Sequence, residues 1–334
     1  MPTTTWPNGR AVKLAPRGNQ PAISLTVHEA GDGPAVVFCH GFPELAYSWR
    51  HQLPAVAAAG FHAIAPDQRG YADSSAPDAV NAYGLTELAG DMAGLLDALK
   101  IDRAIFVGHD WGGFVAWAMP VLYPERTAGV IGVCTPYMAM PQTSFMRLLV
   151  NGKDERMYIL WFQEPGRAEA VMDPKARLIF DRLMRAPLEP AEAAKRMMAS
   201  GELDMNPFRH IEDFQAETAP IVTPEELDTY VHAYEKTGFR GGIDWYRNID
   251  RNSREHPEIG VTKLTLPCLM ITAEWDGALP PRMAAGMPAL CSDLEMHNIE
   301  RAGHWVQQEF PDAVNQTIVD WLNRRFQKIL SAPI

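Results

Sequence analysis

Residues Gly108-His109-Asp110-Trp111-Gly112-Gly113 follow directly on the apolar run Ala104-Ile105-Phe106-Val107. The pattern is a strand that turns sharply into a helix, with an aspartate at the tip of the turn. Small residues at both flanks are what such an elbow needs, because its backbone is strained and the helix behind it packs closely on the sheet. The tip side chain is thereby held out above the sheet edge. A serine there would suit attack on an acyl carbon, whereas a carboxylate suits attack on a saturated carbon. Carboxylates are ionised at neutral pH, displace a leaving group in one step and leave an ester that water must then cleave. No G-x-S-x-G competes elsewhere in the chain.

The text around the elbow alternates strand-like and helix-like segments, the pattern of an α/β fold with a mostly parallel sheet. Strands are expected at 35–39, 61–65, 104–107 and 129–134, with helical spacing over 86–99. From 138 to 255 the alternation gives way to Met, Arg, Glu and aromatic residues at helical intervals, with prolines between them. This predicts a helical insertion. One of its helices is clearly signed, since Thr223-Pro224-Glu225-Glu226 supplies an N-cap, a first-turn proline and a capping-box glutamate ahead of Leu227. Strands return at 266–272 and 294–299. The expected organisation is a core formed by 1–137 and 256–334, with 138–255 as the insertion, and a length of 334 residues accommodates both.

A net charge of −11 without any basic cluster removes the electrostatic footprint of a nucleic-acid binder, and a small molecule is the expected partner. Cys39, Cys134, Cys268 and Cys291 have no metal-ligand spacing between them and read as reduced, mostly buried thiols. The first thirty residues lack an apolar h-region, and no later segment runs apolar for eighteen residues. A cytoplasmic protein with no membrane association is expected.

Asp110 needs partners. Asp276 and Glu274 both lie in the loop that follows the strand expected at 266–272, where a carboxylate emerges at the same sheet edge as Asp110. His304, in Ala302-Gly303-His304-Trp305, follows the final expected strand and can be brought between two carboxylates. It would take a proton from attacking water while the acid fixes its tautomer. The loop His40-Gly41-Phe42-Pro43-Glu44 can aim the Phe42 N–H back over the elbow, opposite the N–H of Trp111. A donor of that kind is worth about 3 to 4 kcal/mol in an oxyanion hole. His109 reads as structural, packed beneath the turn.

Together the elbow G-H-D-W-G-G, the loop H-G-F-P-E, the segment Asp67-Gln68-Arg69-Gly70-Tyr71 and Gly303-His304-Trp305 resemble the soluble epoxide hydrolases of the α/β-hydrolase superfamily, over about residues 20 to 325. The insertion adds two further matches: residues 157–166 and 239–248 resemble the first and second cap tyrosine motifs of that family. The resemblance implies an α/β-hydrolase core with an inserted helical cap, Tyr158 and Tyr246 as lid tyrosines, and the chain order nucleophile, acid, histidine. It assigns the acid to Asp276 rather than Glu274. It further implies a small hydrophobic epoxide as substrate, a vicinal diol as product, a detoxifying role, and no metal or organic cofactor. Substrate contacts are expected from His40, Pro43, Trp111, Phe162 and Trp305, and a homodimer through cap surfaces is a hypothesis that light scattering can reject. Ala72 departs from the family pattern, which more often has glycine there, and is expected to alter only a turn.

Phenols of ordinary pKa, about 10, stay protonated at neutral pH and can hand a proton to an opening ring oxygen. The nearest rival family, the haloalkane dehalogenases, also pairs Asp with Trp at the elbow but needs a second halide donor; Phe42 has no side-chain N–H. Fluoroacetate dehalogenases carry arginines just after the nucleophile, where this chain has Trp111 and Phe114. A silent binding protein of the same fold would usually lack a triad member.

Overall fold

Five apolar runs become the centre of a sheet because each is buried on both of its faces, which is why they read as continuous rather than alternating hydrophobic stretches. The computed structural model describes residues 6–17, 22–199, 201–213 and 217–330, the side chains of 327–330 excepted; the outer ends of the expected core, 1 and 334, lie outside them. The first part of the chain runs β1 (Arg10–Lys13), β2 (Ser24–Ala30), β3 (Ala35–Cys39), α1 (Gln52–Ala58), β4 (His62–Asp67), α2 (Leu85–Leu99), β5 (Ala104–His109), α3 (Trp111–Leu122) and β6 (Thr127–Val133). Helices follow: α4 (Thr143–Leu149), α5 (Tyr158–Trp161), α6 (Arg167–Met172), α7 (Ala176–Leu183), α8 (Pro190–Met197), α9 (Pro224–Thr237), α10 (Arg240–Arg247) and α11 (Ile249–Glu255). The sheet resumes with β7 (Cys268–Ala273), α12 (Met287–Leu290), β8 (Leu294–Ile299), α13 (Val306–Glu309) and α14 (Pro311–Leu330).

The eight strands form one sheet in the order β1-β2-β4-β3-β5-β6-β7-β8. β1 and β2 pair antiparallel, as do β2 and β4, and the remaining pairs are parallel. This is the mostly parallel α/β architecture that the alternation of segments predicts. Successive side chains of each central strand go to opposite faces. Val36, Phe38, Ile105, Val107 and Ile131 pack with Trp49, Leu53 and Trp321 on one side. Val37, Cys39, Phe106, Val130 and Met270 pack on the other, in the layer that holds α2 and α3.

The expected central strands are found within two residues of their ends. β1 and β2 were not foreseen: β1 is only four residues long, and β2, between β1 and β4, turns just Leu25 and Val27 fully into the core. The capping box at the start of α9 is present in full, with Thr223 Oγ1 accepting the Glu226 N–H at 3.2 Å and Glu226 accepting the Thr223 N–H at 2.8 Å. Among the described residues, no helix is long and apolar enough to cross a membrane.

Candidate active site

Parallel strands release their loops at one edge of the sheet, and ligands gather there. β3 ends into His40–Glu44, β5 into Asp110, β6 into Cys134 and Thr135, β7 into the loop with Asp276, and β8 into the loop with His304.

Asp110 has φ 50° and ψ −123°, a conformation that costs a side-chain-bearing residue about 1 to 3 kcal/mol and persists only where the surroundings enforce it. Here they do. Its carbonyl accepts the Gly113 N–H at 2.9 Å and the Thr135 hydroxyl at 2.7 Å. A Cβ on Gly112 would collide with the Cys39 carbonyl, and one on Gly108 with the Gly112 carbonyl. Only glycine lets β3, β5 and α3 meet this closely.

The Phe42 N–H donates to Asp110 Oδ1 at 2.9 Å, and the peptide that follows, Phe42–Pro43, is cis. Trp111 opens α3, so its N–H is one of the donors that a helix start leaves without an intrahelical acceptor. On the other carboxylate oxygen, Asp110 Oδ2 lies 3.6 Å from His304 Nε2. His304 Nδ1 is 2.9 Å from Asp276 Oδ2, and Asp276 Oδ1 accepts the N–H groups of Ala278 and Leu279 at 2.8 and 2.9 Å. Burial alone would raise the Asp276 carboxyl, but the His304 charge and hydrogen bond and the Leu279 amide hold it well below the usual carboxylate range. Burial would likewise lower His304, yet the Asp276 and Asp110 carboxylates raise it well above an ordinary imidazole. Glu274 accepts the Arg301 N–H at 2.8 Å on an exposed stretch and stays out of this group.

Above Asp110 sit two tyrosines from the helical stretch. Tyr158 begins α5 and Tyr246 lies on α10, and their rings meet edge to face, 5.6 Å apart. Burial pushes both phenols up, with the Asp110 charge adding to it. Their helices are fastened by backbone carbonyls: Gln163 Nε2 donates to Tyr246 O at 3.0 Å, and Arg247 Nε donates to Phe162 O at 2.8 Å. Arg247 also pairs with Glu169 and Asp244 at 2.6 and 2.8 Å. Gly241 lets α10 lie directly on Gly70, and the Trp245 indole donates to Arg69 O at 3.3 Å.

Of the expected substrate contacts, Phe162 and Trp111 join the aromatic layer around the tyrosines. Phe162 packs 5.1 Å from Tyr246 and 5.7 Å from Phe42, and Trp111 packs 5.1 Å from Tyr246. Trp305 lies 4.9 Å from the His304 ring and donates its indole N–H to Leu183 O. With Pro187, Trp275 and His304 it lines a cavity of about 350 Å³. Pro43 is buried beside Phe42. His40 is a correction: it is fully buried, Nδ1 lies 3.0 Å from Gly41 O, and Nε2 accepts the Gln68 N–H. With both ring nitrogens committed to the loop beneath Asp110, it has nothing to offer a substrate.

Other residues complete the site without having been singled out for it. Phe208 packs 5.8 Å from Tyr158 and 5.5 Å from Phe162, yet it comes from a loop with no motif to mark it. Glu44 was in view within H-G-F-P-E but had no role. Fully buried, it accepts the Gly41 N–H at 2.7 Å and a Gln307 amide N–H at 2.9 Å, and it stands 3.0 Å from His109 Nδ1. His109 Nε2 is 2.7 Å from His304 O, so the elbow and the histidine loop are joined beneath the site.

Among the described residues, His109, Cys134 and His304 bring potential metal-ligating atoms within 4.8 Å of one another. They make a poor metal set. The nitrogens face Asp276 and the His304 carbonyl, and burial pushes the Cys134 thiol far up, so a thiolate is disfavoured.

Residues 34–311 match the family described as alpha/beta hydrolase fold. Epoxide hydrolase A of Mycobacterium tuberculosis is 39% identical over 309 residues, 90% of this chain and 94% of that protein. Bifunctional epoxide hydrolase 2 of Sus scrofa is 38% identical over 304 residues, 91% of this chain and 54% of that protein, so the chain spans about half the length of that relative. Among solved structures, Epoxide Hydrolase A from Mycobacterium thermoresistibile superposes with a TM-score of 0.83 at 39% identity, covering 95% of this chain and 98% of the other.

Proposed function

Because this chain belongs to the epoxide hydrolases of the alpha/beta hydrolase fold family, we propose that it converts epoxides into vicinal diols through a covalent ester on Asp110. Residues 138–255 act as a cap over a core made of 1–137 and 256–334, and a small hydrophobic epoxide binds between them. The observation that carries the reading is the pair of tyrosines, Tyr158 and Tyr246, with rings 5.6 Å apart and both phenols within reach of the Asp110 charge.

A carboxylate oxygen of Asp110 attacks one epoxide carbon while the ring C–O bond on the opposite side breaks, an in-line displacement. The departing oxygen becomes an alkoxide and takes a proton from the tyrosine pair. Phenols whose pKa is pushed up remain protonated at neutral pH, and they lie closer to an alkoxide in basicity, which suits a proton shared in the transition state. In the second half-reaction, His304 Nε2 takes a proton from water as the oxygen attacks the ester carbonyl. The N–H groups of Phe42 and Trp111 hold the oxyanion. Collapse expels the diol, whose leaving oxygen takes the remaining proton of the attacking water, and restores the Asp110 carboxylate; the imidazolium, stabilised by Asp276, then gives its proton back to the phenolate by way of water. The aromatic layer of Phe42, Phe162, Phe208 and Trp111 supports an apolar substituent on the epoxide.

The test is diol formation from aryl and alkyl epoxides by wild type and Asp110→Asn, with halide release from bromoalkanes followed in parallel. Diol formed by wild type and lost in the variant is the expected result. Halide without diol would move the assignment to a dehalogenase.

A further inference from the structure

His304 sits in a loop whose successive peptide groups are held by the side chains of Glu309 and His109. Glu309 accepts the Gly303 N–H on Oε2 at 2.7 Å and the Trp305 N–H on Oε1 at 2.9 Å. The carbonyl of His304 itself is the group that His109 Nε2 approaches at 2.7 Å. The Trp305 bond has an ordinary cause. Trp305 precedes the short helix α13, and the Glu309 N–H returns a bond to the Trp305 carbonyl at 2.9 Å, so the exchange caps a helix start. Helix capping does not account for the Gly303 bond, because Gly303 lies outside the helix, on the far side of His304. One carboxylate therefore spans the histidine. The approach is close: a Cβ on Gly303 would lie 2.9 Å from Glu309 Oε1 and 2.8 Å from Pro187.

Burial raises the Glu309 carboxyl above its ordinary value, and the two amides and the His304 charge, which favour the ionised acceptor, offset only part of that rise. Asp276 is the other charge that bears on it, and Arg301 shares a cavity wall with it.

We infer that Glu309 is a positioning residue for the step that cleaves the ester: by holding the peptides on both sides of His304, it fixes the imidazole between Asp276 and Asp110. The inference rests on the reading of His304 as the base. Attack of Asp110 on the epoxide requires the carboxylate and the phenols, whereas cleavage of the ester requires His304 Nε2 to face the incoming water. Loosening this loop slows the second half-reaction and spares the first.

Single-turnover rapid quench with styrene oxide, on wild type, Glu309→Gln, Glu309→Ala and His304→Gln, separates the two steps. In Glu309→Ala, ester hydrolysis is expected to fall about 10- to 100-fold, the range that small misplacements of reacting groups produce. Ester formation stays within about twofold, so the covalent ester accumulates. Glu309→Gln keeps one acceptor oxygen and falls between that variant and wild type, with its melting temperature near that of wild type. Unchanged ester hydrolysis in both Glu309 variants overturns the inference. So does an equal loss in both half-reactions that tracks a fall in melting temperature, which is what a purely structural role produces. If His304→Gln stalls as the ester while the Glu309 variants turn over normally, only the inference fails. If His304→Gln cleaves the ester like wild type, the reading of His304 fails with it.

Discussion

His304 lies between two carboxylates, with Nε2 3.6 Å from Asp110 and Nδ1 2.9 Å from Asp276. Burial disfavours its charged form, and the two carboxylates outweigh burial, so its pKa stands well above the ordinary value. The proposed chemistry changes that balance at the right moment. Once Asp110 is esterified it carries no charge, one source of the upward shift is gone, and His304 loses its proton more readily just when a base is needed. Asp110→Asn imitates this neutral state, and His304 in that variant is expected to titrate at lower pH than in wild type when followed by NMR of the imidazole; an unchanged or higher pKa would show that Asp110 does not govern it. The phenols carry a second prediction. Tyr158→Phe and Tyr246→Phe should each slow ester formation about 100-fold, at the lower end of general acid catalysis. Because the two phenols stand side by side and would act on the same ring oxygen, the double variant should lose less than the product of the single losses, which stopped-flow single turnovers can read. Asp110, Asp276 and His304 stood out in the sequence because each falls in a short motif after a strand, whereas Tyr158 and Tyr246 were expected only from the resemblance. The orientation of His40, the burial of Glu44 and the contacts of Glu309 were not legible, since a loop written as a string does not say which side faces a cavity, and glutamate is ordinarily a surface residue.

Local rules were enough to find the start of α9. Thr223 and Glu226 exchange side-chain and backbone hydrogen bonds there, and Glu226 also reaches Arg50 of the core at 2.7 Å. Thr223→Ala should cost about 1 kcal/mol, the usual loss of an N-cap, measured by urea unfolding; no change would mean that packing against α7 and the core defines this helix end without the cap. The central strands were equally legible, because burial on both faces leaves only apolar choices at successive positions. β1 and β2 were not, since β1 is a four-residue edge strand held by its pairing with β2, and β2 carries only two fully buried apolar residues, Leu25 and Val27. The loop carrying Phe208 was silent for a related reason: its place beside Tyr158 comes from how the helices around it pack, and it has no periodicity of its own.

At the scale of the whole molecule, the paired His304 and Asp276 link stability to pH. Asp276 has its pKa depressed on folding, so its contribution is present above the unfolded value of about 3.9 and is lost as pH falls through the folded value. His304 has its pKa raised, so its contribution is complete below the unfolded value of about 6.5 and is lost as pH rises through the folded value. The stability difference between wild type and His304→Gln should therefore be largest between about pH 4 and 6.5 and shrink on either side. Urea unfolding at a series of pH values checks this, and a difference that does not vary with pH would contradict it. The candidate site draws on both parts of the chain, the phenols coming from the helical stretch and the carboxylate from the sheet edge.

The central claim is a covalent ester on Asp110, and mass spectrometry of His304→Gln mixed with styrene oxide tests it most directly. The account predicts that the protein gains the mass of one substrate molecule, that the added mass lies on the peptide containing Asp110, and that Asp110→Asn abolishes it. Diol production by wild type with no adduct in the histidine variant, or an adduct on another residue, would contradict it.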